Sequence, residues 1–108
     1  MPISLDDLSA LPWEPFRDGI DAVWIYRTPD NGPAAALLRY QPGAAAPRHR
    51  HVGWETIHIL EGSQSDQHAE YGTGCVTANA PGTEHSVFSE KGCVALLVWE
   101  RPPEFLDD

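Results

Sequence analysis

Apolar residues in this chain come in short runs, each closed by glycine, proline or a small polar residue. "AVWIYR" (22–27) and "AAALLRY" (34–40) flank "TPDNGP", in which Asn31-Gly32 is a strong hairpin signal. Further runs at 46–51, 54–60, 63–68, 74–79, 84–89 and 93–99 repeat the pattern. No stretch of useful length carries the periodicity of an amphipathic helix. Only "SLDDLSAL" (4–11) offers a helical turn, behind a Ser4 cap. Short strands at this spacing predict an all-β barrel or jelly roll. The tail "RPPEFLDD" should lie across the surface, with Phe105 and Leu106 docked.

Within this pattern, "APRHRHVGWETIHILEG" (46–62) places His49 and His51 one residue apart and Glu55 four residues on. A helix cannot use the His-x-His spacing, because such residues point about 200° apart at 3.6 residues per turn. A strand can, since alternate residues share a face. One straight strand would separate His49 and Glu55 by about 20 Å at ~3.3 Å per residue, so the chain must reverse between them. Val52-Gly53-Trp54 is the expected three-residue hairpin loop, which would set His51 opposite Glu55.

The spacing continues beyond this stretch. The chain reads Gly43-x5-His49-x-His51-x3-Glu55-x6-Gly62, then Gly74-x7-Gly82-x2-His85. Glycine is expected where a barrel strand turns sharply with positive φ. A His-x-His pair on an exposed strand ordinarily means two solvated imidazoles. Glu55, His85 and four placed glycines together favour a metal site instead, and three imidazoles with a carboxylate suit first-row ions. His58 has the opposite parity to Glu55, and Glu84 is adjacent to His85, so both should point outward. His68 falls near a turn. The same parity places Ile57 and Ile59 inside beside Glu55, and Val87 inside with His85. Trp54, Tyr71, Phe88 and Trp99 are aromatic candidates for a pocket wall, although β cores use such residues for packing too.

Composition narrows the function classes. The 108 residues suit one domain, 1–108, with an ordinary hydrophobic fraction of 42%. Sixteen acidic against seven basic residues give a net charge of −9, which argues against a nucleic-acid partner. No apolar run approaches the ~20 residues of a membrane span. The acidic N-terminus lacks a signal-peptide pattern, so a cytoplasmic location is expected. Cys75 and Cys93 form no CxxC and read as small core residues, without a disulfide framework.

The two glycine–histidine blocks, 43–62 and 74–85, resemble the conserved motifs of the cupin superfamily. These are small double-stranded β-helix (jelly-roll) barrels that hold a metal inside. "LEGSQSDQHAEYGTG", "APGTEH" and "SEKGCVALLVW" are more closely similar to ChrR-like cupins. The resemblance implies that His49, His51, Glu55 and His85 are the metal ligands, holding one divalent transition metal per chain: zinc, iron, manganese or nickel. Two departures bear on the pocket near His85: Ala80 stands where the second block usually has proline, and Ser89 where asparagine is frequent.

The pocket expected beside the ion is formed by Ile57, Ile59, Val87 and Trp99; the residues leave any catalytic acid or base undefined. Cupins of this type are similar to small metal-dependent dioxygenases, so an enzyme acting on a small oxygen-chelating substrate is the first functional expectation. The second is a sensory or regulatory module, since ChrR-like cupins also occur in zinc-bound anti-sigma factors. Before Gly43 there is neither cysteine nor histidine, so the separate zinc module of a complete anti-sigma factor is not expected. The resemblance also implies a homodimer, for which "AVWIY" is the proposed pairing strand.

Overall fold

The computed structural model describes residues 2–106. Ten strands follow a single 3-10 turn, Leu8–Ala10. They are β1 (Glu14–Arg17), β2 (Ile20–Arg27), β3 (Ala34–Tyr40), β4 (Ala44–Arg50), β5 (Glu55–Ser65), β6 (Glu70–Gly72), β7 (Val76–Asn79), β8 (Glu84–Ser89), β9 (Cys93–Trp99) and β10 (Glu104–Phe105). Every pairing is antiparallel, and the neighbour order is β1-β2-β3-β9-β5-β8-β4-β10, with β6 and β7 also on β5. The long strand β5 lies beside β9 and β7 first, then reaches β6 and β8 near Ser65, which curls the sheet into a barrel. The all-β barrel expected from the sequence is the fold observed.

The core lies inside this curl. Ile20, Ala36, Leu38, Ile57, Ile59, Val87, Ala95 and Trp99 belong to one buried cluster. Each large aliphatic side chain there contributes about 1.5–3 kcal/mol of burial free energy. Strand β3 is buried on both faces from Ala34 to Leu38, which explains its unbroken apolar run. Cys93 is buried, Cys75 is half-buried against the core, and both are free thiols, as read from the sequence.

Several local expectations are corrected. β4 and β5 are not paired: β4 lies between β8 and β10, and β5 pairs with β9, β7, β6 and β8. Val52-Gly53-Trp54 is therefore a corner that carries the chain from one wall to the other, not a hairpin loop. Gly53 sits in that corner because a Cβ would meet Glu100 Oε1 at 2.8 Å and the Arg101 nitrogen at 3.0 Å. In the real β2–β3 hairpin, positive φ falls on Asp30 (60°) and Asn31 (57°) instead of on Asn31-Gly32. The helical turn is shorter than expected and its N-cap position is Asp7, so Ser4 does not cap it.

The tail behaves as expected over its described part. Phe105 pairs with His49 in the β10–β4 ladder, and the Leu106 N–H donates to the Arg48 carbonyl at 3.0 Å. Asp107 and Asp108 lie outside the described residues. The β2 strand is bonded to β3 along most of its length, whereas β1 covers only Ile20–Ala22. None of the helices among the described residues is long and apolar enough to cross a membrane.

Candidate metal centre

Strand β4 delivers the two histidines by breaking its own register. Ala46 pairs with Val87 and His49 with His85, with a shift between them. Pro47 sits at this irregularity, where its missing N–H costs no ladder bond. Beyond it, His49 and His51 both face inward, 4% and 2% exposed. The loop after β7 secures His51: its N–H donates to the Thr83 carbonyl and its carbonyl accepts from the Gly82 N–H, both at 2.8 Å. Gly82 adopts φ +89°, and Gly43, Gly62 and Gly74 are likewise positive, as expected of the four motif glycines.

Glu55 enters from the opposite wall at the start of β5. Its ladder partners are Asn79 on one side and Trp99 on the other. Residues directly opposite in a ladder point the same way, so both side chains reach its carboxylate. Asn79 Nδ2 donates to Oε1 at 3.0 Å, and the Trp99 indole N–H donates to Oε2 at 2.5 Å. His85 completes the group from β8, opposite His49.

One ligating atom from each of His49, His51, Glu55 and His85 falls within 4.8 Å of the others, and all four residues are buried. The imidazoles surround a common centre instead of stacking: their centroids are 4.6 to 5.2 Å apart at interplanar angles of 73 to 87°. His58, His68 and Glu84 stay out of the group. Glu84 points outward, as expected, and pairs with Arg48 at 2.6 Å.

The hydrogen bonds fix which imidazole nitrogen is available. His49 Nδ1 is 2.8 Å from the Pro47 carbonyl, which can only accept, so Nδ1 carries the proton. His85 Nδ1 faces the Asp66 carboxylate at 3.3 Å, with the same consequence. His51 Nδ1 lies 3.1 Å from the Thr83 carbonyl and 3.0 Å from Thr83 Oγ1. That hydroxyl gives its own proton to the Ala80 carbonyl at 2.6 Å, so it accepts from His51. All three Nε2 atoms are left as lone-pair donors. Outer hydrogen bonds of this kind orient histidines for a metal and raise their basicity.

Two observations show that a cation fits. His85 Nε2 is buried and has no hydrogen-bond partner. His51 Nε2 lies 3.0 Å from Glu55 Oε1, a contact between two electron-rich atoms unless a positive charge joins them. Burial holds His49 below the usual histidine value, against the Pro47 carbonyl bond. Burial and then the charge of His51 lower His85 as well. Burial alone would raise Glu55, but the bond and charge of His51 and the Trp99 bond outweigh it. A lowered His49 and His85 beside a lowered Glu55 favour neutral rings there and an ionised carboxylate, the states a divalent ion requires of its ligands.

A small cavity of about 30 Å³ adjoins the cluster. Ile57, Val87 and Trp99 line it, together with His49, Glu55 and His85. Ile59 is buried in the core and lies outside that lining. Trp54 and Phe88 are exposed at 53% and 45%, so neither serves as a wall. Tyr71 is instead part of a neighbouring crevice beside Asp66 and His85. The residues that sequence reasoning missed are the outer partners Asp66, Asn79 and Thr83. Asp66 carries the most: it also accepts from the His68 and Ala69 N–H groups at 2.8 and 3.1 Å and from the Tyr71 hydroxyl at 3.2 Å. These bonds outweigh burial and hold its carboxyl below the usual range.

A curled antiparallel barrel enclosing three histidines and a glutamate defines a cupin. More particularly, the chain belongs to the ChrR cupin-like domain family, whose family model matches residues 4–101. It is 32% identical over 80 residues to the anti-sigma-E factor ChrR of Cereibacter sphaeroides, covering 71% of this chain and 38% of that protein. The chain thus spans well under half the length of this curated relative. Its fold is similar to the complex of Rhodobacter sphaeroides SigE with the anti-sigma ChrR, at TM-score 0.75 and 24% identity over 86% of this chain and 50% of that one. It is also similar to an acetylacetone dioxygenase from Acinetobacter johnsonii, at TM-score 0.83 and 16% identity over 100% of this chain and 80% of that one.

Proposed function

We propose that this chain is a single cupin unit, 1–108, that binds one divalent transition metal through His49, His51, Glu55 and His85. In this reading it is a metal-dependent enzyme of dioxygenase type acting on a small oxygen-chelating substrate. The observation that carries the proposal is the set of three imidazoles with Nδ1 committed and Nε2 free, one of them buried without a partner. When bound, an ion such as iron supplies Lewis acidity and a route to dioxygen chemistry. The protein's part is positional. Pro47, Thr83 and Asp66 hold the three rings, and Asn79 and Trp99 hold both carboxylate oxygens of Glu55. Ile57, Val87 and Phe105 supply an apolar boundary that limits water beside the cluster.

The test is elemental analysis of anaerobically purified protein, followed by oxygen uptake with a panel of β-diketones. Stoichiometric iron, manganese or nickel with substrate-dependent oxygen consumption is the expected result. Zinc in a closed four-coordinate site, with no oxygen uptake, would overturn the enzyme reading.

The match to an anti-sigma factor favours a second reading, a regulatory cupin that binds a metal or ligand without catalysis. Under either reading the open β2 edge from Val23 to Arg27 is the surface suited to pairing two copies, which sedimentation analysis would detect as a homodimer.

A further inference from the structure

The cavity beside the four-residue cluster is too small for most of an organic substrate, at about 30 Å³. A second cavity of about 200 Å³ adjoins it, and Phe16, Trp99, Pro103 and Phe105 line both. Trp99 is the shared element with chemical consequence. Its indole N–H holds Glu55 Oε2, and it also forms part of the larger cavity's lining. Apart from Pro102, the rest of that cavity comes from the β2–β3 hairpin, including Trp24, Arg27, Thr28 and Asn31.

Its lining has two chemical characters. Trp24 sits 5.9 Å from Phe16 and 6.1 Å from Trp99, at interplanar angles of 63° and 44°. This arrangement offers aromatic faces and edges to a flat apolar guest. The second character is cationic. Arg27 lies over Trp24, with its guanidinium carbon 4.1 Å from the ring centroid. Among the described residues Arg27 has no carboxylate partner, whereas Arg39, Arg48 and Arg50 each pair with one. The sequence has sixteen acidic residues, yet none lines this cavity. Stacking occupies the face of a guanidinium and leaves its in-plane donors for a bidentate oxyanion. Thr28 and Asn31 add neutral hydrogen-bonding groups beside it.

We infer that this larger cavity is a ligand subsite for a small planar apolar group bearing a carboxylate, which Arg27 reads. Resting on the metal-enzyme reading above, it would hold the part of the substrate that lies away from the ion. Charge selection follows from the environment: in a chain of net charge −9, Arg27, without a carboxylate partner among the described residues and at the edge of an aromatic cavity, gives an anionic ligand a local cationic site.

The test uses phenylacetate and its neutral analogue phenylacetamide, titrated into metal-loaded protein, chelated protein and the Arg27→Gln variant of each. Indole N–H resonances report the binding position, because Trp24 and Trp99 line the cavity while Trp13 and Trp54 do not. Phenylacetate should shift Trp24 and Trp99 selectively and bind about tenfold more tightly than the amide, with or without metal. Arg27→Gln should reduce that preference to under about twofold. Preference that survives in Arg27→Gln but disappears on chelation would place the carboxylate on the ion; it would overturn this inference and leave the metal site standing. Equal binding of the two probes, or unmoved Trp24 and Trp99 resonances, would also overturn it. Absence of metal from the purified protein would instead count against the metal-enzyme reading alone.

Discussion

The β3–β9 wall and the histidine–glutamate cluster are buried to the same degree by opposite means. Ala36 and Ala95 are 0% exposed in the wall, while His51 and Glu55 are 2% and 3% exposed in the cluster. The wall needs only area: any well-shaped apolar set at those positions satisfies it. The cluster needs a partner for every polar atom, because a buried group left unpaired costs far more than a satisfied one contributes. Its partners arrive from four places: the Pro47 irregularity, the turn at Asp66, the loop at Thr83 and the β5 ladder neighbours Asn79 and Trp99. The buried His85 Nε2 has no hydrogen-bond partner among the described residues, and the proposed ion would give it one.

The sharpest way to break this contrast is to damage each region once. His51→Ala should abolish stoichiometric metal. It should also cost about 3–5 kcal/mol, since loss of the ion leaves the buried Glu55 carboxylate without its counter-charge. Its melting temperature should no longer respond to a chelator, whereas that of the parent protein should fall. Ile59→Ala, in the apolar core, should cost about 2–5 kcal/mol yet leave metal content unchanged. Elemental analysis and thermal melts of both variants decide the matter. Full metal occupancy in His51→Ala would show that the cluster is a structural hydrogen-bonded group and nothing more.

The two regions also differ in how far the sequence revealed them. β3, β8 and β9 were legible to the residue, because apolar runs bounded by glycine or proline depend only on local pattern. β1 escaped notice: Pro12 and Pro15 interrupt its window, and proline is tolerated there only because the strand lies at the sheet edge. Residues 54–60 and 63–68 read as two strands divided at Gly62, but β5 runs through it. Gly62 marks a backbone distortion with φ +75°, where a Cβ would lie 2.2 Å from the Gly92 carbonyl. The four residues of the cluster were legible through motif spacing, although the hairpin invoked to join them does not exist. Asp66, Asn79 and Thr83 were not, because their roles follow from which strand lies beside which. Asp66 had one available signal, its place in the "LEGSQSDQHAEYGTG" stretch that resembles ChrR-like cupins.

Asp66→Asn sharpens the comparison with a smaller effect, reaching the cluster through an outer partner. Asparagine should keep the turn, since one side-chain oxygen still caps the His68 and Ala69 N–H groups. It then turns its amide nitrogen toward His85 Nδ1, so a donor meets a donor. His85 is driven to the other tautomer, and its Nε2 acquires the proton that blocks an ion. Metal affinity should fall about 10–100-fold. The melting temperature of chelated protein should move little. A competition titration against a chromogenic chelator measures the first effect, and histidine nitrogen shifts report the tautomer. Unchanged affinity would show that Asp66 serves the turn alone.

The smallest effect comes from an ion pair at the surface. Arg50 reaches Glu104 at 2.7 Å and Glu84 at 3.9 Å, tying β10 and β8 to β4 only one residue from His51. Its side chain is 44% exposed and that of Glu104 is 56% exposed, so water and salt screen the attraction. Arg50→Ala should cost about 0.2–1 kcal/mol, diminishing in high salt, with metal content and affinity unaltered. In the barrel the neighbouring His51–Glu55 contact, at a similar 3.0 Å, has no solvent to screen it or to replace a lost partner. If thermal melts showed Arg50→Ala to be as damaging as His51→Ala, proximity of charge would outweigh burial here, and the contrast between the two regions would collapse.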